Sequence, residues 1–314
     1  MKPSTVAPLS ISLLHDVVLQ PILHPGRGAK QTFGAHDRDG HFLADFYRPL
    51  VDRRCAIAPP AAPVLRCEER CVYGGTIVGH YGHFLLESLA RCWAFDEEPD
   101  APIVWTKLRL GNSHEAWSPW IDRIFTLLGI DPRRNRVIEQ TTDFATLVLP
   151  EPGFRYFRAL HPALVARLQV VGPVPTAPAG RVWLSRTALP DGFSRIAGEE
   201  GLEALLRDAG WTIVAPETLD VMDQAGLFHS AEVVAGFSTS AFHSVLLQKV
   251  PRARLRIFLR DTIPPTNYRL IADRLSLDQR FLTTPMTQLD ERAARSSYAL
   301  ADPPAAFRAL MESL

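Results

Sequence analysis

The sequence predicts an α/β protein of two Rossmann-like domains facing each other across a cleft. Three observations carry this. The chain has 314 residues, more than the roughly 250–300 at which a single hydrophobic core stops growing. Its second half alternates short apolar runs with helical patterns at the spacing of βαβ units, which implies a parallel sheet. A proline-rich stretch at 172–180 separates that half from a less regular first half. Proline fixes φ and removes a backbone donor, so the stretch reads as a stiff linker, and the domains are placed at 1–172 and 173–314.

The elements follow in chain order. Residues 9–63 form a proline-interrupted lead-in of β character. Apolar runs at 76–78, 103–105, 136–138 and 146–149 are the candidate strands of the first domain, with helices over 82–94 and 117–128. In the second domain, strands are expected at 182–185, 211–214, 232–235 and 255–259. A helix over 199–208 carries Leu202, Leu205 and Leu206 at helical spacing, and Gly210 stands where it stops. Asp220 caps a second helix to about 230, striped by Val221, Leu227 and Phe228, and a third runs over 241–249.

Composition narrows the class. Hydrophobic residues make up 46% and charged ones 22%, so the chain buries a core rather than remaining disordered. Lys plus Arg and Asp plus Glu are both 34, which leaves no basic field for a nucleic acid but does not exclude one phosphate-bearing ligand. Residues 1–20 are broken by His15 and Asp16 and read as neither signal peptide nor membrane span. Cys55, Cys67, Cys71 and Cys92 all lie in the first third, which fits a reducing, cytoplasmic setting. Cys67 and Cys71 with His80 and His83 can be drawn as a zinc site, but the spacing between the pairs suits no known finger, so free thiols are expected.

In an open parallel sheet, ligands bind beyond the carboxyl ends of the strands. Here those ends carry Ser185, Arg186 and Thr187, then Glu217 with its neighbours, then Gly236 followed by Ser238, Thr239 and Ser240. Hydroxyls, backbone N–H groups and the positive end of a helix make the last segment a phosphate cradle. Arg186 and Arg195 supply counter-charge with geometry suited to a diphosphate, and Glu217 stands where ribose hydroxyls would bind. The ordinary alternative is a helix cap with two surface arginines, and Glu217 in Pro-Glu-Thr is equally ordinary loop chemistry. In the first half, His83, Glu87 and Arg91 share a helical stripe. A histidine oriented by a carboxylate one turn away is a good general base; Glu87 could itself be the base, and the stripe could equally be a polar face turned to water. His80, His83 and Glu87 together could also hold a metal.

The run Tyr81-Gly-His-Phe-Leu-Leu-Glu87, with Arg91 after it, resembles the helix motif of glycosyltransferase family 61. Further matches come in the same order: the strand ending at Ser185-Arg186, Arg195-Ile-Ala-Gly-Glu199, the strand from Gly210 to Pro216-Glu217, then Gln224 and 231–236. The resemblance covers about 73–250. It implies a B-type glycosyltransferase fold whose final helix returns to the first domain. It also implies an inverting, metal-independent transfer from a nucleotide-sugar to a glycan or glycoconjugate acceptor, in surface or extracellular polysaccharide synthesis. The nucleotide-sugar would be a co-substrate, with no cofactor, and peripheral membrane contact is compatible with this. The sequence departs from the family where His-Gly-Ala is usual, having Ser238, Thr239 and Ser240, and where Asn is usual, having Gly198. The first departure keeps a non-catalytic nucleotide- or glycan-binding protein as an alternative, beside a metal-dependent hydrolase using His80, His83 and Glu87.

Overall fold

The structure, a computed structural model, describes residues 7–23, 31–46, 55–108, 117–156, 158–189, 195–260, 264–289 and 298–314. The chain forms two compact units, Met1–Leu168 and Gln169–Leu314. No helix among the described residues is long and apolar enough to cross a membrane.

The first unit is built on strands β1 (Ile11–Leu23), β2 (Gln31–His36), β3 (Cys55–Ile57), β4 (Leu65–Cys67), β5 (Cys71–Val78), β6 (Ile103–Leu108), β7 (Asn135–Val137) and β8 (Thr142–Pro150). They form one sheet in the order β3-β2-β1-β8-β5-β6-β7, with β4 also paired to β8. The half comprising β8, β5, β6 and β7 is parallel, whereas β1 runs antiparallel to both β8 and β2. The unit is therefore a mixed sheet rather than a doubly wound one. The lead-in segment supplies the difference, because its alternating residues pair along the edge of β8 instead of crossing over through helices. β5 is buried along its whole length, as a strand covered on both faces must be. Leu19, Phe33, Tyr73, Phe144 and Leu147 lie in the core on one side of this sheet.

After β5 the chain forms α1 (Tyr81–Leu86) and then winds more tightly, as a 3-10 helix over Ser88–Glu97, where the sequence predicts one α-helix. The tightening begins at Ser88, whose Oγ accepts the Val78 N–H at 3.0 Å and so ties the helix to the end of β5. Helix α2 (Pro119–Leu127) buries Ile121, Ile124 and Phe125. A short hairpin, β9 (Phe154–Arg155) with β10 (Ala159–Leu160), precedes α3 (Pro162–Leu168).

The second unit contains β11 (Gly180–Leu184), β12 (Ile196–Ala197), α4 (Glu199–Asp208), β13 (Thr212–Val214), α5 (Val221–Ser230) and β14 (Ala231–Phe237). A 3-10 helix (Ser240–Leu247), β15 (Arg254–Phe258), α6 (Thr266–Leu275), β16 (Gln279–Leu282), β17 (Met286–Gln288), β18 (Tyr298–Leu300) and α7 (Pro303–Glu312) follow. Its main sheet is parallel throughout, in the order β13-β11-β14-β15-β16. Counted along the chain this is 2-1-3-4-5, a doubly wound order whose topological switch point lies between β11 and β14. Strands β12, β18 and β17 make a small separate sheet.

Two features of the second unit bear on the chain's organisation. The stretch 172–180 is the opening of the second unit rather than a linker. Val171 exchanges backbone hydrogen bonds with Leu247 and Lys249, and a Cβ on Gly226 would lie 2.7 Å from Val174. The final helix packs into the core of the second unit. Ala306 and Leu310 join Leu202, Leu206 and Trp183 in its core, and Arg254 and Arg256 donate to the carbonyls of Leu314 and Ser313 at 2.6 and 2.9 Å.

Candidate active site

The switch point places the carboxyl ends of β11 and β14 side by side. Leu184 is the register partner of Gly236, so Arg186 and Ser238 follow as close neighbours on the same edge. A Cβ on Gly236 would stand 2.9 Å from the Leu184 carbonyl oxygen. Gly236 therefore permits the close approach of the two strands; it is a packing residue that sets the floor of the site.

Above that floor the side chains are positioned by both strands and helices. Arg186 is only 7% exposed. Burial, helped by the nearby Arg260, lowers its guanidinium to about 10 against the upward pull of Glu199, Tyr268 and Glu217. Arg260, beyond the end of β15, donates from Nε to Ser238 Oγ at 3.3 Å and lies over the Tyr298 ring, 5.8 Å from its centre. Tyr268 of α6 donates its hydroxyl to the Thr239 carbonyl at 2.7 Å. Thr239 precedes the 3-10 helix with an extended backbone and makes no side-chain cap, so the alternative of an ordinary capping residue does not describe it. Ser240 accepts through its carbonyl from His243 Nδ1 at 3.0 Å.

The other predicted residues sit on the rim. Arg195 is exposed and donates to the Thr187 carbonyl at 2.7 Å, which anchors it to the loop after β11. Glu217 is exposed in a 3-10 turn (Pro216–Thr218) beyond β13. That turn is tied down by Gln224, which donates to the Pro216 carbonyl at 2.7 Å. Beneath Arg186 lies the wholly buried Glu199, accepting from Trp183 Nε1 at 3.0 Å and from the Arg186 backbone N–H at 3.2 Å. Glu203 on the next turn accepts from Ser185 Oγ at 2.5 Å and Thr187 Oγ1 at 3.2 Å, so both carboxyls brace the loop that carries Arg186.

The predicted cluster is thus assembled around Arg186, Ser238 and Thr239, with Glu217 and Arg195 at its margin. Arg260 and Tyr268 complete it and were missed. Arg260 could have been found from the fourth strand, whose end belongs to the same edge. Tyr268 had no such signal, because its helix lies beyond the elements read from the pattern. Chemically, a buried guanidinium with a second, partly exposed one beside it favours an anion that neutralises both.

In the first unit, His83 Nδ1 is hydrogen-bonded to Glu87 Oε1 across one turn at the end of α1. The His80 ring lies edge-on to that of His83, 5.0 Å between centres. Glu87 is 4% exposed, so the carboxylate is buried and only the histidine of the pair reaches solvent. Arg91 does not share their stripe, because the 3-10 winding after Ser88 rotates it inward. There it donates to the carbonyls of Pro150 and Asp45, each at 2.8 Å, and lies over the Tyr73 ring. Among the described residues, His80, His83 and Glu87 do not bring three ligand atoms together, and Cys67 and Cys71 are not joined by the two histidines.

A family model, Glycosyltransferase 61, matches residues 81–275, more than half of the chain. The chain belongs to this family. The matched span opens at the first residue of α1 and closes at the last of α6, so glycosyltransferase family 61 takes in the His83–Glu87 pair and the whole strand-end cluster. Family membership makes the protein a glycosyltransferase, an enzyme acting on a donor and an acceptor, in place of the hydrolase and non-catalytic alternatives. No curated protein compared with the chain matches it. Gly198 precedes α4 with φ 84°, and a Cβ there would stand 2.9 Å from the Leu300 carbonyl oxygen, so both the left-handed conformation and the close approach call for glycine.

Proposed function

We propose that the second unit binds the diphosphate of a nucleotide-sugar at the ends of β11, β14 and β15, and that the protein transfers the sugar to a glycan or glycoconjugate acceptor. One observation carries the reading: Arg186 and Arg260, from two strand ends flanking Ser238, converge at a topological switch point. A bound dianion relieves the mutual repulsion of the two guanidinium groups, and the same arginines then stabilise the charge that develops on the leaving phosphate. Glu217 and Thr239 are assigned to the nucleoside and phosphate margins, and Arg195 to the outer phosphate. On this reading transfer needs no metal or cofactor. His83, held by Glu87, takes the proton of the acceptor hydroxyl as its oxygen attacks the anomeric carbon, which inverts that centre. A two-domain B-type arrangement, a cytoplasmic setting and a role in surface or extracellular polysaccharide synthesis belong to the same proposal.

The test is binding of nucleoside diphosphates and the corresponding free nucleosides to the protein and to Arg186→Ala. Hydrogen bonds to charged groups contribute roughly 1.5–3 kcal/mol, so the substitution should weaken diphosphate binding about 10-fold or more while leaving nucleoside binding nearly unchanged. Equal weakening of both ligands would reduce Arg186 to a structural residue.

A further inference from the structure

The first unit holds another group of ligand-type atoms, separate from the His83–Glu87 pair. β4 and β5 are two pieces of one strand lying along β8. Cys67 is the register partner of Phe144, and Cys71 that of Leu147. The chain thus advances four residues on one side while β8 advances three, and the extra residue puckers the segment between the cysteines. In a regular strand, residues four apart stand about 13 Å from each other. Here the two sulfurs are 3.8 Å apart. Both thiols donate to one acceptor inside the pucker, the Glu69 carbonyl, at 3.6 and 3.5 Å. A carboxylate oxygen of Glu69 and the two sulfurs all lie within 4.8 Å of one another. Arg136 holds that carboxylate by donating to Oε2 at 2.7 Å.

We propose that Cys67, Glu69 and Cys71 form a zinc(II) site, with water as the fourth ligand. In a tetrahedral site with Zn–S bonds of about 2.3 Å, two sulfurs stand about 3.8 Å apart, which is the separation the pucker already imposes. Three residues between the cysteines fall within the usual spacing of a zinc-ligand pair. Thiolates select against magnesium and calcium, which take oxygen ligands. The neighbouring carboxylate distinguishes the arrangement from a latent disulfide, for which a third ligand has no use. Binding converts two thiols to thiolates and releases two protons to solvent. Cys67 is partly exposed and gives the ion a way in, while Cys71 is buried and fixes the ion to the sheet. The consequence is mechanical: the ion clamps the pucker that starts β5, the strand leading directly into α1 and His83.

The full-length protein, purified under reducing conditions without chelators, should carry one zinc ion per chain by elemental analysis. Cobalt(II) in its place should give thiolate-to-metal charge-transfer absorption. Replacing an outer partner of a metal ligand costs roughly 10–100-fold in affinity, so Arg136→Ala should fall in that range. Cys67→Ser, at the more exposed position, should lose more than that with the fold intact by circular dichroism; Glu69→Gln should also weaken binding. Zinc affinity unchanged in Cys67→Ser, absence of the charge-transfer band, or recovery of the two cysteines as a disulfide from reduced preparations would each overturn the proposal.

Discussion

His83 and Glu87 share a hydrogen bond but not an environment. Glu87 is 4% exposed, whereas the His83 side chain keeps 41% of its surface. A group that must meet an acceptor hydroxyl has to be reachable, so the geometry favours the imidazole as base and the carboxylate as the group that orients it. His83→Ala should therefore lower kcat by about 10²–10⁴ and leave donor binding nearly intact, with Glu87→Gln giving a smaller loss. Steady-state kinetics with a confirmed acceptor, alongside donor titration, separates these. A larger loss from Glu87→Gln than from His83→Ala would reverse the roles, and near-normal turnover in His83→Ala would place the base elsewhere. The pair was legible in the sequence because the i, i+4 spacing survives to the C-cap of α1, where the Glu87 N–H still bonds to the His83 carbonyl. Arg91 was misread because the same arithmetic was carried into a segment that winds with three residues per turn. Arg186, Ser238 and Thr239 were legible from the strand-end rule, since each follows an apolar run within two or three residues. Arg260 and Tyr268 reach the same group from later in the chain, where no local pattern links them to Ser238.

At the scale of elements, the second unit was the more readable. Its βα alternation is local, so strands at 182–185 and 232–235 could be located from short apolar runs. The first unit's sheet depends on β1 meeting β8, which lie more than a hundred residues apart, and periodicity carries no information about such pairing. Helix α4 shows how an element's first turn serves the site. Gly198 turns the chain, and Glu199 is then driven under β11, where burial pushes its carboxyl up to about 8. Among the described residues its Oε2 has no hydrogen-bond partner, so no donor is present there to hold a negative charge. The folded protein thus keeps a proton that the unfolded chain releases near the ordinary glutamate value of 4.5. Between those two values the native state binds more protons than the unfolded state, so this group makes stability fall as pH rises from about 4.5 to about 8. The slope for one retained proton is at most about 1.4 kcal/mol per pH unit. Glu199→Gln, which keeps the shape and the acceptor oxygen, should flatten the decline in urea-denaturation midpoints across this range. An unchanged slope in Glu199→Gln would mean that the carboxyl is ionised in the native protein.

The molecule as a whole consists of two compact units, each with a core cluster of its own. Such a chain need not unfold in one step, and a ligand held by one unit raises the opening free energy of the segments that must open to release it. If the donor diphosphate binds at Arg186, Ser238 and Arg260, native-state hydrogen exchange with saturating nucleoside diphosphate should slow first at the ends of β11, β14 and β15 and in the opening of the 3-10 helix at Ser240. At a ligand concentration 100 times Kd the added protection against global opening of that unit is about 2.7 kcal/mol, roughly a hundredfold slowing of its slowest amides. The amides of β5, β6 and β8, deep in the first unit, should slow less, because their opening does not require loss of the ligand. The Arg186→Ala protein supplies the control: at the same ligand concentration its extra protection should shrink by the factor lost in affinity. Slowing confined to the first unit would locate the nucleotide away from the switch point and sink the donor-site assignment. Equal slowing in both units would show instead that they open as one cooperative body, and the separate cores would then not amount to separate stabilities.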